Sequence, residues 1–376
     1  MSKKEREYDK ALWIGAHFGF TPIDAPKVKE VDKLAVADCD DGSALTQRGK
    51  KLFDPVEKAA FLRVYLEKDF ASLPHPLSVS YKHDGSKKLS DYSFELAGLP
   101  SGTAEALLIR TALSVLIEEG HKNMVVELNS IGDKESLTAY ERELHNYARK
   151  IAGELDVDLR KKIKKNIFEL ISIVSESESL REKMPSSIGS LSPASRAQFK
   201  EVIEHIDALG VEFRLLPTLV GNKYFCSETL FAIRDTDTDD ICAVGYRYSR
   251  LSKKLGLKKE VPLAGVTVFA GVVKKIYKDL PKPKFYLVQL GQDAKMKALP
   301  LIELLRNHRV PIHHSLGHSK ITSQLGTAED LRVPYLMIVG QKEAIEDSVT
   351  IRNASTRAQD TIPIRDLPQY LKKLPF

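Results

Sequence analysis

The stretch Asn123–Ser136, NMVVELNSIGDKES, constrains the fold of this chain more than any other. Met124-Val125-Val126 is a short apolar run rich in β-branched residues and predicts a buried strand. Ser130-Ile131-Gly132-Asp133 turns the chain: the glycine permits a sharp bend, and Ser130 or Asp133 offers an oxygen to cap a following helix. From about Lys134 to Lys150, Leu137, Tyr140, Leu144 and Tyr147 recur at three-to-four spacing and form one apolar helical face.

The same rules organise the rest. Residues 5–19 predict a helix with Ala11, Leu12, Ile14 and Phe18 on its apolar side, and Pro22 and Pro26 keep the next segment extended. Residues 31–50 are polar and Asp-rich and read as a loop. Lys58–Asp69 predicts a helix with Ala60, Phe61, Val64 and Tyr65 at helical spacing. Leu77–Tyr81 reads as a strand, His83–Asp91 as a polar turn and Phe94–Leu99 as an extended segment. Thr103–Glu119 is a helix that Gly120 ends. Residues 151–212 are helical and highly charged, with loops at 175–180 and 185–193, and their run Leu159–Lys165 reads as a solvated face. Strand patterning returns at 213–216, 229–234, 241–246 and 266–273. The acidic DTDTDD turn at 235–240 is a hairpin tip, because it lacks the spaced ligands and fixed glycine of an EF-hand loop. The Pro/Lys-rich segment 279–284 is the best domain boundary. Beyond it, strands and helices alternate to the end, as in a small α/β domain.

Composition excludes some classes. A chain of 376 residues is long enough for more than one domain. Its 43% hydrophobic and 29% charged residues argue against disorder. No apolar run approaches the ~18 residues of a membrane helix, and no apolar region follows Met1–Glu5, so neither membrane insertion nor a signal peptide is expected. Cys39, Cys226 and Cys242 lack metal spacing and suit a reducing, cytoplasmic compartment. A net charge of +6 permits an anionic partner without requiring one.

Leu128-Asn129-Ser130-Ile131-Gly132-Asp133, followed by Ser136 and Tyr140, resembles a segment of histidyl-tRNA synthetases. Gly19-Phe20 and the strand ending at Pro26 resemble the first motif of class II synthetases. Tyr286–Gly291, Pro334–Gly340 with Glu343, and Thr361-Ile362-Pro363 resemble the class IIa anticodon-binding domain. The likeness runs through nearly the whole chain in the family's order. It implies an α+β fold: a class II synthetase-like antiparallel sheet with helices over 1–278, carrying a helical insertion at about 151–212. A linker at 279–284 and an anticodon-binding-like α/β domain at 285–376 complete it. It also implies ATP-dependent activation of histidine, transfer to tRNA and a homodimer. That chemistry needs a carboxylate for the amino acid's ammonium and arginines where phosphate charge develops.

The apolar frame of the family's motifs is present, whereas its polar positions differ. Where the family has Leu-Arg-Pro-Glu-x-Thr, this chain has Phe53-Asp54-Pro55-Val56-Glu57-Lys58, with Arg63 in register for a later arginine. Val56 takes the carboxylate position and Glu57 lies one residue off. The second motif's arginines give way to Lys82, Lys87 and Lys88, which lack the planar fork. Phe-His-Gln reads Phe94-Glu95-Leu96, so the histidine-binding Gln is Leu96, and the next carboxylate is Pro100. In the signature beginning Leu219-Val220, the catalytic arginine is Gly221. Gly-Gly-Gly-Arg-Tyr-Asp reads Val244–Ser249, keeping Arg247 and Tyr248. The arginine of the third motif is Val272. Losing one such group costs on the order of 10²–10³ in rate, so the resemblance points to a family scaffold with an abandoned site, from which Arg63 and Arg247 survive.

The leading expectation is a catalytically inactive relative that binds tRNA, another RNA or a protein partner and needs no cofactor. Lys253, Lys254, Lys258, Lys259, Lys274 and Lys275 flank the third-motif strand and offer phosphate contacts. His313, His314, His318 and Lys320 cluster at a strand end of the last domain. No carboxylate or cysteine completes a metal set with these histidines, so no metal is expected. One alternative is a divergent histidine–tRNA ligase using ATP and Mg. Another is a subunit resembling the regulatory subunit of ATP phosphoribosyltransferase.

Overall fold

Strand Met124–Gly132 and helix Lys134–Lys150 follow one another as their residue pattern requires. Leu137, Tyr140, Leu144 and Tyr147 are all buried. The computed structural model describes residues 7–39, 46–47, 50–73, 75–83, 90–175, 177–271, 276–280, 282–314, 316–317 and 320–374. Asp133, not Ser130, caps the helix: its Oδ1 accepts from the Ser136 amide at 2.8 Å. The turn also joins a distant helix start, Pro193–Ala208. Ser192 Oγ donates to Asp133 Oδ2 at 2.8 Å, and the Asp133 amide donates to Ser195 Oγ at 3.0 Å. Asn129 in turn donates to the Leu219 carbonyl and accepts from Ser187.

Among the described residues, eight strands form the main sheet: β1 (Thr21–Pro22), β2 (Leu77–Lys82), β3 (Ser90–Ala97), β4 (Met124–Gly132), β5 (Phe213–Leu215), β6 (Ser227–Asp235), β7 (Ile241–Arg247) and β8 (Leu263–Ala270). Their order is β1-β2-β3-β8-β7-β6-β4-β5, antiparallel except for the edge pairs β1–β2 and β4–β5. The helices that position the site are α1 (Lys10–His17), α2 (Glu30–Ala35), α3 (Pro55–Glu67), α4 (Thr103–Glu119), α5 (Lys134–Lys150) and α6 (Pro193–Ala208).

Side-chain alternation sorts the sheet into two faces. Tyr92, Phe94 and Leu96 of β3, Val266 and Val268 of β8, and Phe231 and Ile233 of β6 meet α1, α4 and α6 in one apolar cluster. On the other face, Val79 and Tyr81 of β2, Leu230 of β6 and Val244 and Tyr246 of β7 pack beneath α3 with Phe53 and Phe225. Every residue of β3 is buried, so the middle of the sheet is covered on both sides.

Several boundaries differ from the sequence reading for identifiable reasons. The first helix starts at Lys10, because Tyr8-Asp9 pair as a short strand with Ile276-Tyr277. Residues within the expected loop 31–50 form α2, whose Asp32 accepts from the Lys29 amide and from Arg63. Helix α3 starts at Pro55, capped by Asp54 on the Val56 amide at 2.8 Å. Within the expected insertion at 151–212, α6 does not stand apart: its Phe199, Val202 and Ile206 enter the main core.

The C-terminal sheet contains β9 (Phe285–Gln289), β10 (Ile312–His314), β11 (Tyr335–Val339), β12 (Ser348–Asn353) and β13 (Gln359–Pro363), in the order β10-β9-β11-β12-β13. Phe285 and Leu287 of β9, with Leu301 and Leu305 of the helix Gln292–Asn307, join the apolar cluster of α1 and α4. Polar groups fix the same junction. Arg110 of α4 pairs with Glu303 at 2.6 Å, and His314 Nε2 donates to the Phe18 carbonyl at 2.9 Å.

Candidate functional site

The face of the sheet beneath α3 carries a buried polar centre. Lys58 points down from α3 and Glu95 up from β3, with side chains 3% and 0% exposed, and Lys58 Nζ lies 2.5 Å from Glu95 Oε1. Tyr81 donates to Glu95 Oε1 at 3.1 Å and Tyr248 to Oε2 at 2.7 Å. The ammonium also lies over the rings of Tyr246 and Tyr248, 5.4 and 5.1 Å from their centroids, a cation–π contact on both. Burial, then the Glu95 charge, holds the Tyr81 and Tyr248 hydroxyls well above the ordinary tyrosine range, so both act as donors.

The sheet's register builds this centre. Gly265 pairs with Glu95 on one side and Tyr246 on the other. A Cβ at 265 would run into Glu95 Oε2 and come within 2.9 Å of Lys58 Nζ, so the glycine makes room for the ion pair. The volume above the central strands is filled by charged and aromatic side chains of the chain itself.

Two clefts flank the filled face. One, of about 250 Å³, is lined by Ala25, Pro26, Lys27, Val28, Glu57, Tyr81 and His83. There Glu57 Oε1 lies 3.6 Å from His83 Nδ1, and His83 Nε2 lies 2.7 Å from Ser93 Oγ, which bonds Thr267. The other, of about 430 Å³ at the end of the sheet, is lined by Pro100, Asp133, Glu228, Arg247 and Arg250 among others. Among the described residues, Arg250 there donates to the Lys223 and Gly132 carbonyls, and burial lowers its pKa.

Residues 284–374 match the anticodon binding domain family. A histidine–tRNA ligase of Chlorobium phaeobacteroides is 25% identical over 296 residues, covering 75% of this chain and 67% of that protein. One of Dehalococcoides mccartyi is 24% identical over 97% of this chain and 94% of its own length. The chain also superposes on apo histidyl-tRNA synthetase of S. aureus with a TM-score of 0.51 at 18% identity, covering 96% of this chain and 93% of that one. Over most of its length the chain is similar to histidine–tRNA ligases, and it shares the fold of a histidyl-tRNA synthetase.

Against the family's motifs, the positions singled out in the sequence scatter. Val56 is half-buried at the start of α3, beside Glu57 at the smaller cleft. Leu96 lies on the helix-packed face, opposite the polar centre; alternation along β3 puts Glu95, not Leu96, where a ligand-facing side chain would stand. Pro100 is exposed and lines the larger cleft. Gly221 is buried, and a Cβ there would strike Leu230 and come within 2.7 Å of Cys226 Sγ, so this backbone has no room for an arginine. Val272 lies outside the described residues.

Both arginines expected to survive are engaged by internal carboxylates, Arg247 at the wall of the larger cleft. Arg63 binds Asp32 through Nε and Nη2, Glu67 through Nη1 and the Lys27 carbonyl, and so ties α2 to α3. Arg247 is buried on the helix-packed face and grips Glu105 with two bonds of 2.9 and 2.8 Å, plus the Leu99 and Ser101 carbonyls.

The basic candidates also divide. Lys253 pairs with Glu260 and Lys254 with Asp38, whereas Lys258 and Lys259 are exposed with no ion pair among the described residues. Lys274, Lys275 and His318 lie outside the described residues. Of the expected histidine cluster, the described members His313 and His314 do not come together. His313 and His314 are neighbours on β10 and face opposite ways: His313 stacks on Tyr286, and His314 is buried against Phe18. Lys320 is exposed just before helix Ile321–Asp330. What the sequence reading missed was the Lys58–Glu95 pair. Its signal was a lone Lys58 on an otherwise apolar helix face and a lone Glu95 between Phe94 and Leu96 of a strand.

Among the described residues, no helix is long and apolar enough to cross a membrane.

Proposed function

We propose that this chain is a catalytically silent member of the histidyl-tRNA synthetase family, which binds tRNA or a related RNA and does not activate histidine. The observation that carries this reading is the Lys58–Glu95 ion pair under Tyr81, Tyr246 and Tyr248. These side chains occupy the sheet face between the two clefts and satisfy one another, leaving no carboxylate there for a substrate ammonium. Arg63 and Arg247 are spent on internal carboxylates, so no arginine of the inherited set is poised for ATP phosphates. The anticodon-binding match at 284–374 and exposed Lys258 and Lys259 support an RNA partner.

A second reading, a divergent histidine–tRNA ligase, is favoured by the names of the relatives and by Glu57 and His83 in the cleft beside α3. The two readings separate in histidine-dependent ATP–pyrophosphate exchange, with an authentic histidyl-tRNA synthetase as positive control. The silent reading expects no exchange from folded protein, together with salt-sensitive tRNA binding. Exchange above background that disappears in Glu57→Gln would establish the ligase.

A further inference from the structure

Away from both clefts, three metal-ligating side chains from three elements meet. His121 follows the left-handed Gly120 that ends α4, Asp235 closes β6 and Cys242 opens β7. His121 Nδ1 lies 2.5 Å from Asp235 Oδ2 and 3.9 Å from Cys242 Sγ, and the three ligand atoms lie within 4.8 Å of one another. Two local features aim them. The β6–β7 register slips between Ile241 and Ala243, so Cys242 is the extra residue of a β-bulge, a device that redirects a side chain out of the regular pleat. The Asp237 amide donates to Asp235 Oδ1 at 2.9 Å and leaves Oδ2 turned toward His121. Asp235 and Cys242 are buried, whereas the His121 side chain is 28% exposed and opens the group to solvent.

We propose that His121, Asp235 and Cys242 form a binding site for a divalent transition ion of the zinc type. One thiolate, one imidazole and one carboxylate are donors that zinc accepts, and three protein ligands leave a fourth position to water. Zinc bond lengths of about 2.0–2.3 Å at tetrahedral angles set donor separations of about 3.4 Å for N···O and 3.6 Å for N···S. The Cys242 sulfur is already close to that distance from Nδ1. The His121–Asp235 pair must open by about 0.9 Å, which a side-chain rotation at the solvent edge supplies. The ion replaces the proton shared by His121 and Asp235 and the thiol proton of Cys242, so binding releases protons and weakens as pH falls. The carboxylate of Asp237, held by Asn123 Nδ2 at 2.9 and 3.1 Å, adds negative charge beside the site.

Cobalt(II) titration of the full chain tests this, read by thiolate-to-metal charge-transfer absorption and by competition with zinc. The expected result is one equivalent bound with a charge-transfer band. The band should vanish in Cys242→Ser, persist in Cys39→Ser and Cys226→Ser, and require at least about tenfold more metal in His121→Ala. His121→Ala changes a partly exposed side chain and carries the test even if Cys242→Ser fails to fold. Absence of a band at millimolar cobalt, a band that survives Cys242→Ser, or unchanged affinity in His121→Ala would overturn the assignment.

Discussion

Replacing Lys58 by methionine keeps most of the side-chain volume and removes the charge. Glu95, with no exposed side-chain surface, then retains only the Tyr81 and Tyr248 hydroxyls as partners. Removing one member of a buried pair leaves an uncompensated charge and costs about 3–5 kcal/mol. The double variant Lys58→Met/Glu95→Gln removes both charges and leaves an amide oxygen to accept from the tyrosines. It should recover most of that loss, so the two substitutions are strongly non-additive in the double-mutant cycle. Urea unfolding followed by far-ultraviolet circular dichroism measures this, provided the m-value is unchanged between variants. A cost for Lys58→Met below about 1 kcal/mol, the range of an exposed pair, would refute the reasoning, as would a double variant no better than the single one.

Gly221→Arg, which places an arginine where the resemblance expects one, should yield insoluble or strongly destabilised protein and no exchange activity, because the side chain would enter space held by Leu230 and Cys226; recovery of exchange from soluble protein would show that the backbone yields there. Burial, then the neighbouring His313, lowers the His314 pKa to about 4, although its bond to the Phe18 carbonyl opposes the shift. A depressed histidine contributes stability above about pH 6.5 that is lost as pH falls toward 4, about 3 kcal/mol in all; His314→Gln should flatten that part of the stability–pH curve. If tRNA binds beside the β7–β8 connection, Lys258→Gln/Lys259→Gln should lower the slope of log affinity against log salt by about 1.4–1.8. Lys253→Gln/Lys254→Gln should lower it less, since those lysines already have carboxylate partners.

Local patterning made much of the fold legible. Thr103–Glu119 was readable from end to end because Gly120 adopts a φ of +107°, the conformation that ends helices. Helix α2 was not readable, because its Val31 and Leu34 are exposed and it is held instead through buried Asp32 by Arg63, far along the chain. Site geometry failed where strand alternation was left out. Adjacent residues in a strand face opposite ways, so Glu95 and Leu96 could not both face a ligand, and His313 and His314 could not form one cluster. Arg63 and Arg247 were recognisable as arginines in register, but their partners Asp32 and Glu105 lie 31 and 142 residues away, and no local pattern announces such pairs. Cys242 carried no metal spacing because its neighbours in space come from a helix end and a separate strand.

The Lys58–Glu95 pair also constrains the history of the chain. A lineage that gained or lost either residue alone would carry an unmatched charge under α3, while Gly265 must stay small for the pair to sit there at all. Positions 58 on α3, 95 on β3 and 265 on β8 are therefore coupled. A single change at Lys58 or Glu95 passes through a chain with an unpaired buried charge. The filled face acts as an evolutionary ratchet, and descendants of this chain are expected to vary at the cleft rims and the basic surface long before they vary at residues 58, 95 and 265.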